Sequence, residues 1–319
     1  MQLNAIQVRE ALPWDRLIEA LNDIFTQQVY APVRHHHSIN VPNEPQATLL
    51  LMPAWLEGEY LGVKLVNVFP GNNRHGLPGL NSNYILSSGQ TGEPLAQLDA
   101  NELTARRTAA ASAMASGFLS REDASDLLMV GAGRMARYLI PAHMSVRPIR
   151  KVTVWNRNEA EAIRLADELK AQGVDAEVCP LNELEFAANR ADIISCATLS
   201  TTPLIKGEWL KPGAHLDLVG SFTPTMRETD NVAMQRCAVF VDVRAGALSE
   251  TGDLIIPIKE GAITEDSVVA EFTDLCNGRH QGRAGLEDPK NAISLFKSVG
   301  DSREDLAAAI LAYQQSVEV

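Results

Sequence analysis

The sequence predicts an α/β protein: a doubly wound parallel sheet in its middle and a second, mostly antiparallel α/β unit in front of it. Three observations predict this. Apolar runs at 127–131, 152–156, 176–179, 192–197, 215–219 and 238–242 alternate with helical or loop stretches, the rhythm of a sheet wound by crossover connections. The first of these runs ends in Gly131-Ala132-Gly133-Arg134-Met135-Ala136, which reads as strand, tight turn and helix start. The residues before residue 120 carry neighbouring strand and hairpin signals instead.

Taken in order, Leu17, Ile18, Leu21, Ile24 and Phe25 recur at helical spacing after Pro13, and predict a helix within 12–29. Residues 40–46 form a Pro-rich loop. Residues 48–55 and 60–69 read as strands, and 83–99 as a hairpin turning through Ser87-Ser88-Gly89-Gln90-Thr91-Gly92. The Ala-rich stretch 103–118 is strongly helical. After the parallel-sheet rhythm, 293–299 reads as one more strand and 301–313 as a last helix, expected to return to the first unit. The domains are therefore expected at 1–119 with 300–319, and at 120–299.

Composition excludes several classes. The 319 residues are enough for two cores. A net charge of −12 argues against nucleic acid or an anionic membrane as main partner. No apolar run reaches the length of a membrane span, and Met1-Gln2-Leu3-Asn4 does not begin a secretory signal. Cys179, Cys196, Cys237 and Cys276 are scattered without metal or redox spacing. Free thiols in a reducing cytoplasm are expected.

The glycine turn carries the chemistry of the parallel half. Gly131 permits the bend, Gly133 clears the way for a pyrophosphate, and Ala136 lets the helix pack close to the sheet. The N–H groups of Ala132 to Met135 then face the phosphates at a helix N-terminus. The next strand ends in Asn156-Arg157, where a dinucleotide fold meets the adenosine ribose. A carboxylate there favours NAD and repels a 2′-phosphate. An arginine fork suits that phosphate, so NADP(H) is favoured, with NAD(H) possible. The alternative is an Arg157 that merely opens a solvated helix.

In Gly62-Val63-Lys64-Leu65-Val66 a lysine interrupts an apolar strand. A buried ammonium needs a partner or a task; on an edge strand its head would simply reach water. The ordered set of motifs identifies the setting. The Lys64 strand, Gly76-Leu77-Pro78, Thr91-Gly92-Glu93-Pro94 and Leu103-Thr104-Ala105-Arg106-Arg107-Thr108 come first. The glycine turn, Trp155-Asn156-Arg157, the run Asp192 to Thr198, Lys211-Pro212-Gly213 and Lys297-Ser298-Val299-Gly300 follow. Together they resemble the ornithine cyclodeaminase/μ-crystallin family over nearly the whole chain. The resemblance implies a Rossmann-type domain, a substrate-binding and dimerisation domain, and a homodimer. It implies hydride transfer between a nicotinamide and the α-carbon of an amino acid or its imine. It makes Arg34 and Arg107 the pair that grips the substrate carboxylate and Lys64 the active-site lysine, its pKa depressed by both arginines. It puts Thr198 and Val299 against the nicotinamide.

One departure decides between chemistries. Cyclodeaminases of this family carry Gly-x-Asp after the strand ending in Gly220, and its aspartate handles the distal amine of ornithine. Here the stretch reads Gly220-Ser221-Phe222-Thr223-Pro224. An apolar ring cannot hold an ammonium, so the resemblance points to reduction of a preformed cyclic imine. Δ1-Pyrroline-2-carboxylate or Δ1-piperideine-2-carboxylate would become L-proline or L-pipecolate, with Phe222 packed on the ring. Glu228 or Asp230 could replace the missing carboxylate, which keeps ornithine cyclodeamination with bound NAD open. A non-catalytic NADP-binding carrier resembling μ-crystallin is the other alternative, less suited to a retained Lys64. His35-His36-His37 reads as a loop triplet, not a metal site, since consecutive side chains diverge. Arg106 reads as a helix-surface charge, and Asp217 as an odd strand acid paired at the sheet's end.

Overall fold

The computed structural model describes residues 1–317. They form two compact units: residues 1–108 together with the described residues from Asp301 onward, and residues 109–300.

The first unit opens with β1 (Gln2–Leu3), α1 (Ala5–Glu10) and α2 (Trp14–Thr26), then β2 (Val29–Tyr30), β3 (His35–Ile39), β4 (Ala47–Leu56), β5 (Tyr60–Val68), β6 (Leu80–Ser88) and β7 (Pro94–Asp99). The sheet order is β1-β7-β6-β5-β4-β2, with β3 also on β4, and every pairing but β1–β7 is antiparallel. α2 buries Leu17, Leu21, Ile24 and Phe25, the stripe its spacing predicts, while Ile18 lies at its margin. Each such side chain contributes about 1.5–3 kcal/mol. The segment 2–10 is too short for periodicity to reveal. α1 is fixed by a reciprocal cap between Asn4 and Gln7.

The histidine triplet is corrected here. It is not a loop but the start of β3, in register with Leu51, Leu50 and Leu49 and facing solvent at all three positions. Backbone pairing to β4 sets this conformation, and side-chain chemistry does not reveal it.

Helix α3 (Ala100–Leu119) follows β7, and the division between units falls inside it, between Thr108 and Ala109. The sequence expectation placed the division after residue 119. The later turns belong with the second unit because their serines bond into it, as described below.

That unit runs β8 (Asp126–Val130), α4 (Ala136–Val146), β9 (Lys151–Trp155), α5 (Glu159–Ala171), β10 (Ala176–Val178), α6 (Leu184–Arg190), β11 (Ile193–Cys196), β12 (His215–Leu218), α7 (Asn231–Arg236), β13 (Cys237–Val241), α8 (Arg244–Glu250), α9 (Gly252–Lys259), β14 (Val268–Glu271), α10 (Phe272–Cys276) and β15 (Ile293–Lys297). All pairings are parallel, in the order β10-β9-β8-β11-β12-β15-β13-β14. Every residue of β11, β12 and β15 is buried, as expected of strands covered on both faces. The chain winds outward from β8 in one direction to β10 and in the other from β11, so the winding reverses between β8 and β11. Ligands of open parallel sheets bind beyond the strand ends at such a point. The last helix, α11 (Ser302–Val317), returns to the first unit.

Candidate active site

In the first unit, alternation along β5 puts Gly62, Lys64 and Val66 on the buried face, and Lys64 is 4% exposed. β5 lies between β4 and β6, so the edge-strand alternative does not apply. Met52 and Tyr84 stand opposite Lys64 on the two neighbours. The Tyr84 ring fills the space over Gly62, where any Cβ would collide with its hydroxyl. Lys64 Nζ lies 2.7 Å from Asp305 Oδ2, and it donates to Thr104 Oγ1 at 3.5 Å.

The other oxygen of Asp305 accepts from Arg107 Nε at 2.9 Å, while Arg107 Nη1 donates to Glu304 Oε2 at 2.6 Å. One carboxylate on α11 thus bridges the lysine of β5 and the arginine of α3. Burial lowers Lys64 to about 8; Asp305 opposes that fall, and Arg107 and Arg34 add to it. Asp305 is itself held below the usual carboxylate range: burial alone would raise it, but Arg107 and Lys64 outweigh that. Arg34, Arg107 and Asp305 all act on Lys64, and Glu304 acts with Asp305 on Arg107. Arg107 keeps donors on Nη2 that a carboxylate ligand could use, since its fork carries five N–H bonds.

Arg106 corrects the sequence reading. It is 8% exposed, donates from Nε to Leu12 O at 2.9 Å and stacks on Trp14 with its central carbon 4.0 Å from the ring centre. It ties α3 to the start of α2 and is not a surface charge. Arg34 directly precedes β3, and its charge acts on Lys64.

In the second unit, Gly131 has φ +109°, and a Cβ there would lie 2.7 Å from Ala197 O, so only glycine fits. At Gly133 the space where a Cβ would stand is open to 4 Å, which leaves a phosphate clear access to the backbone. Arg134 and Met135 complete the turn into α4, and Ala136 is buried against the sheet. Asn156 Oδ1 accepts from Ala132 N at 3.3 Å, joining the turn to the end of β9. Arg157 is exposed and donates from Nη2 to Ser200 Oγ at 2.8 Å. Neither position brings a carboxylate to the ribose end. These residues fit a dinucleotide: the turn and helix start would hold the pyrophosphate, and Asn156 and Arg157 the adenosine side.

Beyond β11, Thr198 is half-buried and Leu199 is 76% exposed; beyond Gly220, Phe222 is 56% exposed, free to meet an apolar ligand. Val299 N donates to Asp242 Oδ2 at 2.7 Å, which fixes the exit of β15. The two acids considered as substitutes for the missing aspartate have other duties. Asp230 Oδ1 caps α7 by accepting from Ala233 N at 2.9 Å and also accepts from Gly207 N at 2.9 Å. Glu228 is fully buried and accepts from the backbone of Thr198 and Gly220. Asp217 is not at the sheet's end. It lies within β12, where it accepts from Ser112 Oγ, Ser195 Oγ and His143 Nε2 at 2.9, 2.7 and 3.1 Å. Ser116 meets the other nitrogen of His143 at 3.0 Å. All five residues of this chain are 0% exposed, so it pins α3 and α4 to the sheet and reaches no substrate.

A glycine turn at the reversal point of an all-parallel sheet marks the second unit as a dinucleotide-binding α/β fold, and the first unit carries a buried lysine and arginine. The chain belongs to the ornithine cyclodeaminase/mu-crystallin family, whose model matches residues 1–319. It is 54% identical over 310 residues to an uncharacterized protein of Schizosaccharomyces pombe, covering 95% of this chain and 94% of that one. It is 37% identical over 309 residues to the Delta(1)-pyrroline-2-carboxylate reductase of Colwellia psychrerythraea, covering 96% of each. Among solved structures, the Thermococcus litoralis Delta(1)-pyrroline-2-carboxylate reductase in complex with NADH and L-proline superposes with a TM-score of 0.89 at 33% identity, covering 100% of this chain and 98% of that one.

Proposed function

We propose that the protein reduces a cyclic imino acid, Δ1-pyrroline-2-carboxylate or Δ1-piperideine-2-carboxylate, to L-proline or L-pipecolate, using a reduced nicotinamide dinucleotide. The observation that carries this reading is the buried Lys64–Asp305–Arg107 arrangement, with a lysine titrating near 8. Arg107 and Arg34 hold the carboxylate, and Lys64 supplies the proton that the imine nitrogen needs when hydride reaches its carbon. The dinucleotide supplies the hydride; Gly131, Ala132, Gly133, Arg134 and Met135 hold its phosphates, and Thr198 and Val299 face the nicotinamide. Phe222, in the place of an aspartate, suits an apolar ring and not a distal ammonium. The reductases among the relatives support the same substrate class. A screen of NADPH and NADH oxidation across cyclic and linear imino acids tests it, with ammonia release from L-ornithine plus NAD as the control. Ammonia release without imine reduction would overturn the reading in favour of cyclodeamination.

NADPH is the favoured coenzyme because Arg157 replaces the usual carboxylate. Arg157→Asp is expected to move the ratio of kcat/KM for NADPH over NADH toward NADH; an unmoved ratio assigns Arg157 to solvent. The protein is proposed to work as a homodimer. The second face of the first unit's sheet supports this: Leu51, Pro53, Val63 and Leu65 are only half-buried there and Ile85 is 44% exposed. Four free cysteines suit a cytoplasmic setting, and no helix among the described residues is long and apolar enough to cross a membrane.

The lysine titration gives a pH expectation. Below about 8 the Lys64 ammonium is present and can donate; above it, kcat/KM for imine reduction falls. Asp305 raises the Lys64 pKa, so Asp305→Asn is expected to move that falling limb toward lower pH by about one unit or more. A limb unmoved in Asp305→Asn would show that the titrating group is not Lys64.

A further inference from the structure

Two strand-end loops of the second unit converge on one side chain. Glu228 Oε1 accepts from Thr198 N at 2.7 Å and from Thr198 Oγ1 at 2.8 Å, and its Oε2 accepts from Gly220 N at 2.7 Å. The loop after β11 and the loop after β12 are thus held together by one carboxylate. They approach so closely that a Cβ at Gly220 would run into the Thr198 backbone and the Glu228 carboxylate. Glu228 is itself held: its N–H, at 2.8 Å, and that of Thr229, at 3.4 Å, both donate to Asp253 Oδ1. Lys297, at the end of β15, lies 3.7 Å from the other oxygen of Asp253 and donates to Leu218 O at 3.0 Å. Glu228, Asp253 and Lys297 are all 0% exposed.

We propose that Glu228 is a positioning residue whose ionised carboxylate clamps the Thr198 and Gly220 loops into the wall that receives the nicotinamide, so that coenzyme affinity depends on its charge. The inference rests on the dinucleotide reading above. The clamp needs the carboxylate: a protonated carboxyl turns one acceptor oxygen into a donor and leaves an N–H or hydroxyl opposite it without an acceptor. The titratable or charged groups facing Glu228 are Asp253 on α9, Lys297 on β15 and Cys196 on β11, whose thiol is held well above its usual range by burial and by Glu228 itself. Burial and the charge of Asp253 push Glu228 up to about 7, with Lys297 opposing. The change of state therefore falls where the clamp can be probed without denaturing acid. Its sign is fixed: the clamp is intact above about 7 and loosens as pH falls through that value.

Direct titration of the full-length protein with NADPH and with NADH, followed by coenzyme fluorescence between about pH 6 and 8.5, tests this without any imino acid. Wild-type affinity is expected to weaken severalfold toward pH 6. Glu228→Gln is expected to bind about tenfold more weakly at pH 8, as for loss of one charge-assisted hydrogen bond. Its affinity is expected to be independent of pH over this range. Variant affinity within about twofold of wild type, a variant profile parallel to the wild-type one, or a flat wild-type profile would each overturn the proposal. Should Glu228→Gln not fold, the wild-type pH profile decides alone: weakening toward pH 6 supports the clamp and a flat profile overturns it. A wild-type protein that binds neither coenzyme overturns the dinucleotide reading itself and the clamp with it.

Discussion

Lys64→Met is expected to lower kcat for cyclic-imine reduction by about a hundred- to ten-thousandfold, the range of a positioned general acid. Reduction adds a hydride to the imine carbon and a proton to the nitrogen, and the protonated imine is the better acceptor. Lys64 is placed for that task by β5 and Asp305, and burial brings its pKa to about 8, close enough to neutrality to give up a proton and regain it. Methionine keeps much of the stem and removes the donor. The variant is expected to fold, because Asp305 keeps its bond to Arg107. Steady-state kinetics with coenzyme-binding and circular-dichroism controls check it. A kcat within a few-fold of wild type would make Lys64 a structural partner of Asp305.

The second large effect is at Arg107. Arg107→Lys is expected to raise KM for the imino acid by about ten- to a hundredfold, the loss of a forked charge-assisted contact, with coenzyme affinity nearly unchanged. Arg107→Ala is expected to do more than that. Glu304 and Asp305 both bond to this guanidinium and are both 0% exposed, so its removal leaves buried carboxylates short of a partner, at a cost of about 3–5 kcal/mol. A thermal melt should therefore show Arg107→Ala strongly destabilised and Arg107→Lys much less so. Unchanged imino-acid kinetics in the lysine variant would remove Arg107 from the carboxylate site.

These predictions divide along what the sequence makes readable. Lys64 is conspicuous because a charge inside an apolar strand breaks a period of two. The glycine turn is conspicuous because an apolar run stops there. Asp305 and Glu304 are not. Acids in the first turn of a helix are the ordinary complement to its dipole and read as solvated. Only the return of α11 to the first unit turns them into partners of Lys64 and Arg107. Asp217 stands out in its strand, but its partners lie in α3, α4 and β11, far apart in the chain. Arg106 is not legible in the sequence because α3 is buried nearly all round, polar residues included, so an inward arginine there looks like an outward one. Among elements, the long strands and helices follow from periodicity. Of the pieces it missed, β1 and β2 have two residues each and α1 six, too few to show a period, while β3 is set by its pairing to β4.

The position of β15 has a consequence for how the chain is assembled. In the finished sheet β15 lies between β12 and β13, although both precede it in the chain. A growing polypeptide that has reached β14 holds two separate groups of strands, β10-β9-β8-β11-β12 and β13-β14, each with an unpaired edge that only the last strand can close. The first unit waits as well, since α11 carries the carboxylates that neutralise its buried lysine and arginine. Neither half can reach its final state until residues 293–317 have left the ribosome. During synthesis the open edges and unpaired cations are exposed to wrong partners. Native structure is therefore expected to appear late and in both halves together, making the nascent chain a client for chaperones until those residues have emerged.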